Sequence, residues 1–229
     1  MKPFQEEGII LHTFDYRDYD QILTLFTPNE GIVKAVKAGA NRPKRRGGVE
    51  TSPLTQAEFI LVRGKQELMK CREISVKDRH LGCRQNIETL ETACELLQAL
   101  RNTQMPGKAS PALYALLESY LQKIPKIDSP QRLALSFRMK LLRHEGHFSN
   151  QLTCTLCQEV LPTLHFSHGE YFCRKHAPSG CVHFSKEETE ELHRCAFGKT
   201  FSEVLSQSMH PEFQEKTRAL FNHFFLLRD

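Results

Sequence analysis

The spacing of apolar and polar positions changes once along the chain. Up to about residue 80 the apolar residues come in short runs of strand length: GIILHTFD (8–15), DQILTLFTP (20–28), GIVKAVKAGA (31–40), LTQAEFILVRG (54–64) and ELMKCREISV (67–76). In the third run Ile32, Lys34 and Val36 alternate against Val33, Ala35 and Lys37, the period of a strand with two unlike faces. Asn29-Glu30-Gly31 and Arg63-Gly64-Lys65-Gln66 read as hairpin connections.

Beyond residue 80 the period becomes helical. Ile87, Leu90, Cys94, Leu97 and Leu100 fall three or four residues apart. Ser110-Pro111 supplies an N-cap and an N1 proline before ALYALLESYL, and Ser129-Pro130 does the same before QRLALSFRMKLLRHEG, with Gly146 as the C′ stop. Ser185 and Glu188 have capping-box spacing. A last helix starts near Pro211 and carries Phe213, Leu220, Phe221, Phe224 and Phe225. The expected fold class is therefore α+β. Residues 1–80 form a five-stranded barrel of the OB type, with an SH3-like barrel as the competitor. Residues 81–229 form an all-helical domain interrupted by a cysteine-rich segment at 154–176.

A length of 229 residues suits one large domain or two small ones, and 40% hydrophobic with 25% charged residues is a globular composition. The net charge of +4 decides little by itself. MKPFQEEGII has acidic residues where a signal peptide has its basic and apolar regions, and no apolar run is long enough to span a bilayer. The expected compartment is the cytoplasm. There is no GxxxxGK[ST] loop and no clustered carboxylate set of nuclease type, so the expectation is a protein that is not an enzyme.

Charge distribution says more. Residues 31–49, GIVKAVKAGANRPKRRGGV, carry Lys34, Lys37, Arg42, Lys44, Arg45 and Arg46 with no acidic residue. Such a run is often a solvated loop. Beside a five-stranded barrel it reads as a phosphate-binding surface for single-stranded nucleic acid. Six contacts to a single strand would give a log–log salt slope of roughly −4. Stacking needs aromatics as well. Phe26 and Phe59 lie in strand-like runs and read as core, whereas Phe14, Tyr16 and Tyr19 stand among Asp15, Arg17, Asp18 and Asp20. Those acidic neighbours disfavour phosphate contact and suit packing of the loop or a protein partner.

Residues 154–176 read CTLCQEVLPTLHFSHGEYFCRKH. Cys154-x-x-Cys157 and Cys173-x-x-His176 are two knuckles, the arrangement that presents ligands pairwise to a tetrahedral zinc ion, with a hairpin turning at His168-Gly169. Four protein ligands close the site to water, so the zinc is expected to be structural. Cys181 and His183 are rival fourth ligands. His168-Gly169-Glu170 matches the H-x-E of zinc deaminases, but the CxxC lies upstream instead of downstream. Cys173 with His176 as a nucleophile pair is the remaining catalytic reading. Cys71, Cys83, Cys94 and Cys195 are scattered and read as small buried hydrophobes.

The chain resembles the RecO family of bacterial recombination mediators in three places. The first is EEGIILHTFDYRDYDQILTLFTPNEGIVKAVKAGANRPKRR, a strand, an Asp/Tyr turn, paired strands and a basic R-P-K-x-R. The second is the barrel-then-helices order, and the third is C-x-x-C…FS…G-x-x-x-C-x-x-[CH]. The resemblance implies binding to single- and double-stranded DNA and annealing of complementary strands coated with single-strand-binding protein. It also implies partnership with RecR and help in loading RecA, on the nucleoid. A general single-strand nucleic-acid-binding protein is the alternative. Carried over by position, the DNA-facing residues are Lys34, Lys37, Arg42, Lys44, Arg45 and Arg46, and the Zn2+ ligands are Cys154, Cys157, Cys173 and His176. His176 stands where many relatives carry a cysteine, which keeps Cys181 open as the fourth ligand. The helix with Arg132, Phe137, Arg138, Lys140 and Arg143 offers an apolar face with a basic rim for a protein partner's acidic tail, and equally a core face with a solvated back.

Overall fold

Each apolar run of the first part becomes a strand: β1 (Pro3–Tyr16), β2 (Asp20–Thr27), β3 (Gly31–Lys37), β4 (Gln56–Val62) and β5 (Met69–Asp78). The computed structural model describes residues 2–42, 50–64, 68–206 and 210–225. β1 starts five residues before the run that announced it, because Pro3–Ile9 pairs antiparallel with β4. Its second half, from Ile9 to Tyr16, pairs with β2, and a register shift between Ile10 and His12 redirects the strand from one neighbour to the other. β2 pairs with β3, β3 runs parallel to β5, and β5 pairs with β4. The order β1-β2-β3-β5-β4 thus returns to β1 as a closed barrel. Ile10, Leu23, Leu25, Val33, Ala35, Phe59, Leu61 and Met69 fill the interior. The alternate residues of the same strands, among them Phe14, Ile22, Thr24, Lys34, Lys70 and Arg72, therefore face outward.

Two compact units divide the chain, Met1–Asp128 and Ser129–Asp229. Helices α1 (Ile87–Thr103) and α2 (Pro111–Lys123) thus belong with the five strands. A polar node ties them in. Glu7 on β1 accepts from Gln56 Nε2 (2.8 Å), the Tyr114 hydroxyl of α2 (3.2 Å) and Lys77 Nζ of β5 (2.8 Å). The α1–α2 connection lies against the start of β3, where the Gly107 N–H donates to the Ile32 carbonyl at 3.1 Å. Gly31 has φ +66, and a Cβ there would stand 2.1 Å from the Lys108 carbonyl oxygen, so only glycine fits.

The face of α1 differs from the one its periodicity suggested. Ile87 is 75% exposed, and Leu90 and Cys94 are exposed too, while Thr89, Thr92, Ala93, Leu96, Leu97 and Leu100 are buried. Threonine can turn inward here because the Thr89 hydroxyl donates to the Cys83 and Asn86 carbonyls (both 3.2 Å).

The second unit is not all-helical, a correction to the expectation. Between α3 (Gln131–His144) and α4 (Lys186–Phe197) lies a three-stranded antiparallel sheet, β7-β6-β8, made of β6 (Leu164–Ser167), β7 (Glu170–Phe172) and β8 (Val182–Phe184). The hairpin at His168-Gly169 is as expected, with φ of 49° and 83°. β8 is only three residues long and had no periodic signal of its own. Helices α5 (Phe201–Val204) and α6 (Pro211–Phe225) complete the unit. Pro130 sits at the N-cap of α3, one place earlier than expected. α3 ends at Gly146 (φ 81°), where the His147 N–H bonds the Leu142 carbonyl (2.8 Å) and the Gly146 N–H the Arg143 carbonyl (3.1 Å), a Schellman stop. The Ser185–Glu188 capping box of α4 is formed.

The basic residues of α3 mostly point into the fold. Arg132 is 3% exposed, pairs with Glu191 of α4 and donates to the Val204 carbonyl. Lys140 Nζ donates to the Gly198 carbonyl (2.6 Å), and Arg143 donates to the Ala196 carbonyl (3.3 Å) while lying over the Phe197 ring. These cations satisfy carbonyls that the ends of α4 and α5 leave open. Phe137 is fully buried. Among the described residues, no helix is long and apolar enough to cross a membrane.

Candidate metal centre and nucleic-acid interface

The two knuckles converge. The donor atoms of Cys154, Cys157, Cys173 and His176 all lie within 4.8 Å of one another. Each knuckle is closed by its own backbone: the Gln158 N–H donates to the Cys154 carbonyl (2.9 Å) and the His176 N–H to the Cys173 carbonyl (3.1 Å). The Thr155 N–H reaches the Tyr171 carbonyl at the end of the β6–β7 hairpin (2.9 Å) and holds one knuckle against the other. The short Thr153–Val160 bridge closes the base of the first.

The spacing fits a tetrahedral metal. Sulfurs sharing a zinc ion at about 2.3 Å stand about 3.8 Å apart, and a sulfur and an imidazole nitrogen about 3.5 Å. Cys157 and Cys173 Sγ are 3.8 Å apart. His176 Nδ1 lies 3.6 Å from Cys154 Sγ and 3.3 Å from Cys173 Sγ. Burial opposes ionisation of Cys154, yet the N–H groups of Cys157, Cys173 and Leu156, with the His176 ring, bring its thiol down to about 6. Cys157 is shifted up: the Glu159 backbone favours its thiolate, but burial and the sulfurs of Cys154 and Cys173 outweigh that. Neighbouring thiols that resist joint ionisation are what a bound cation relieves.

Cys181 and His183 lie outside the four-residue cluster, so the structure gathers His176 as the fourth donor. His168 and Glu170 flank a hairpin turn and are not part of it either. Of the scattered cysteines, Cys71, Cys83 and Cys195 are buried, and burial first of all pushes their thiols up to about 11, 11 and 12. Cys94 is exposed, against expectation.

The basic stretch divides along β3. Lys34 is exposed on the outer face. Lys37 is on the opposite side, 8% exposed, and its Nζ donates to the Arg72 carbonyl at 2.6 Å. Arg42 is exposed just past the strand. Lys44, Arg45 and Arg46 lie outside the described residues. The root of the stretch is pinned by the acidic turn after β1. Asp20 accepts from the Gly39 N–H (2.9 Å), Asp15 accepts from Asn41 Nδ2 (2.7 Å), and the Asn41 N–H bonds the Tyr19 carbonyl (3.0 Å). The acidic residues around Tyr16 and Tyr19 therefore pack the loop. Phe26 and Phe59 are fully buried, as expected, whereas Phe14 is 54% and Tyr19 49% exposed.

Two clefts open on this unit. One, of about 450 Å³, is lined by His12, Phe14, Thr24, Lys34 and, from the end of α1, Arg101. The other, of about 740 Å³, is lined by Tyr16, Arg17, Lys70 and Arg72 among others, with the Arg17 guanidinium over the Tyr16 ring at 4.9 Å. Lys70 and Arg72 were legible in principle, since alternation in MKCREISV sets them on the face opposite Met69 and Cys71. Arg101 was not, because nothing local relates a helix terminus to a strand that precedes it by some 70 residues.

Comparison with known proteins agrees with this architecture. Residues 1–79 match the family model for the recombination protein O N terminal, and residues 84–227 that for its C terminal. The DNA repair protein RecO of Chlamydia trachomatis serovar L2 is 30% identical over 220 residues, covering 95% of this chain and 90% of the relative. That of Moorella thermoacetica is 30% identical over 158 residues (69% and 58%), and that of Myxococcus xanthus 23% identical over 227 residues (98% and 91%). With both halves matched in order and a relative aligned along nearly its whole length, this chain belongs to the RecO family of DNA repair proteins.

Proposed function

We propose that the protein binds single- and double-stranded DNA, anneals complementary strands coated with single-strand-binding protein, and acts with RecR to help load RecA, in the cytoplasm on the nucleoid. The observation that carries this reading is the outer face of the barrel. The closed strand order β1-β2-β3-β5-β4 supports reading it as an OB-type barrel, and the β2–β3 face of such barrels is where single strands bind. Here that face carries Lys34 and leads to Arg42, and Phe14 on the neighbouring β1 stays exposed. Cations that neutralise two strands at once lower their mutual repulsion and let bases pair. No bond is made or broken, so the work is binding and not catalysis. Cys154, Cys157, Cys173 and His176 hold a structural Zn2+, with no ligand position left for water.

Annealing tests it. Complementary oligonucleotides coated with single-strand-binding protein are followed in wild type and in an Arg42/Lys44/Arg45/Arg46 all-to-Ala variant across a salt series. The expected result is faster annealing by wild type, lost in the variant and fading with salt. Tight binding to naked strands without acceleration would leave a general single-strand-binding protein.

A further inference from the structure

We propose that the cleft of about 450 Å³ between β1–β3 and the end of α1 is a seat for one unstacked base of a single DNA strand, stacked by Phe14, with the adjoining phosphates held by Lys34 and Arg101. This deepens the DNA-binding reading and rests on it. The seat is what lets the protein tell unpaired from paired DNA.

The strand register builds it. Phe14 is opposite Ile22, Ile22 opposite Val36, and Val36 opposite Lys70, so an apolar row runs outward across β1, β2 and β3 and ends on a cation on β5. In the next row His12 is opposite Thr24, and Thr24 opposite Lys34. Ile22 and Ile32 also line the cleft, while Arg101 and Pro106 close it from the helical side. A volume of this size suits a small planar ligand.

The chemistry of the lining selects the occupant. A phenylalanine more than half exposed on a sheet face offers a flat ring to any base, without sequence preference. Lys34 and Arg101 give the cleft positive charge, and among the described residues no ion pair engages either. His12 is kept toward its neutral form, by burial and then by the Arg101 charge, so it adds a polar group rather than a competing cation. A duplex keeps its bases stacked inside and offers this face only its phosphates. A single strand can turn a base in.

The test uses the full chain and fluorescein-labelled oligodeoxythymidylate against a duplex of equal length, in wild type, Phe14→Leu, Phe14→Tyr and Arg101→Ala. Phe14 is exposed, so these changes leave folding intact, which thermal unfolding verifies. Phe14→Leu is expected to weaken single-strand binding about tenfold with duplex binding changed less than about twofold, and Phe14→Tyr to restore it. Arg101→Ala is expected to make the single-strand salt slope shallower by about 0.7. Wild-type binding to both forms with Phe14→Leu unaffected, or weakened equally on both, would remove the seat and leave DNA binding standing. Wild type binding neither form would remove the DNA reading as well.

Discussion

Asp20 holds Gly39: the carboxylate at the start of β2 accepts the N–H of a glycine at the root of the basic stretch, 2.9 Å away. Gly39 has φ +66, a conformation that a side chain disfavours. Gly39→Ala is therefore expected to cost about 1–2 kcal/mol of stability even though a Cβ would meet only the flexible Arg42 side chain. Asp20→Ala is expected to cost about 1 kcal/mol. Urea unfolding measures both, and a neutral Gly39→Ala would mean that the root is not pinned as described.

Lys34 and Lys37 should behave oppositely although three residues apart. Lys37→Ala removes a buried donor to the Arg72 carbonyl and is expected to lower stability by about 1–2 kcal/mol without altering the salt dependence of DNA binding. Lys34→Ala is expected to leave stability within about 0.5 kcal/mol and to make the single-strand salt slope shallower by about 0.7. Binding titrations from low to high salt, beside denaturation curves, separate the two.

Metal content distinguishes the ligand sets. Cys157→Ser is expected to lose bound zinc and to destabilise the second unit by about 3 kcal/mol, roughly one quarter of what a structural zinc site contributes. Cys181→Ser is expected to keep a full equivalent, and His176→Cys to keep it as a four-cysteine site. Elemental analysis of the purified proteins, with thermal unfolding before and after chelation, reads this out. Zinc retained in Cys157→Ser and lost in Cys181→Ser would reassign the ligands.

Arg132 and Glu191 are both nearly buried, and Glu191 is shared with Arg194 at 2.7 Å. Glu191→Ala strands a buried guanidinium and is expected to cost about 3–5 kcal/mol. A paired Arg132→Met/Glu191→Leu change removes both charges and is expected to recover most of that loss. A double change as damaging as the single would show that the hydrogen bond to Val204, and not the ion pair, matters most.

Glu7 sets a pH dependence for the first unit. The hydrogen bond from Lys77 lowers its pKa, partial burial opposes this, and Gln56 and Tyr114 add to the lowering. A folded pKa below the unfolded one means that the contribution is complete above the unfolded value of about 4.3 and is lost as pH falls through the folded value. Glu7→Gln is expected to cost about 1 kcal/mol at pH 7 once solvent screening is allowed for, and less below about pH 4. Unfolding curves at the two pH values would show it, and a gap that widens in acid would contradict it.

Much of the fold was readable because its signals are local. Alternation set out the five strands and even separated Lys34 from Lys37, since residues three apart on a strand face opposite ways. The candidate metal donors were readable because a knuckle carries its two donors within four residues. The face of α1 was misread because threonine looks polar in sequence, while the Thr89 hydroxyl is satisfied by carbonyls just before it and leaves its methyl free to bury. β8 was missed because three residues are too few to show a period.

The sequence by itself determined the five strands of the first unit, most helix boundaries, the basic run and the cysteine donors Cys154, Cys157 and Cys173, all properties of a residue and its near neighbours, while the choice of His176 over Cys181 waited for the structure. Only the tertiary structure decided which face of α1 is buried, that Glu7 ties α2 to three strands, and that Arg101 meets Phe14 and Lys34 at one cleft. Those outcomes depend on chain segments tens of residues apart closing on each other. What brings them together is the burial of the strand interiors and helix faces as a whole, a sum that no short stretch of sequence displays.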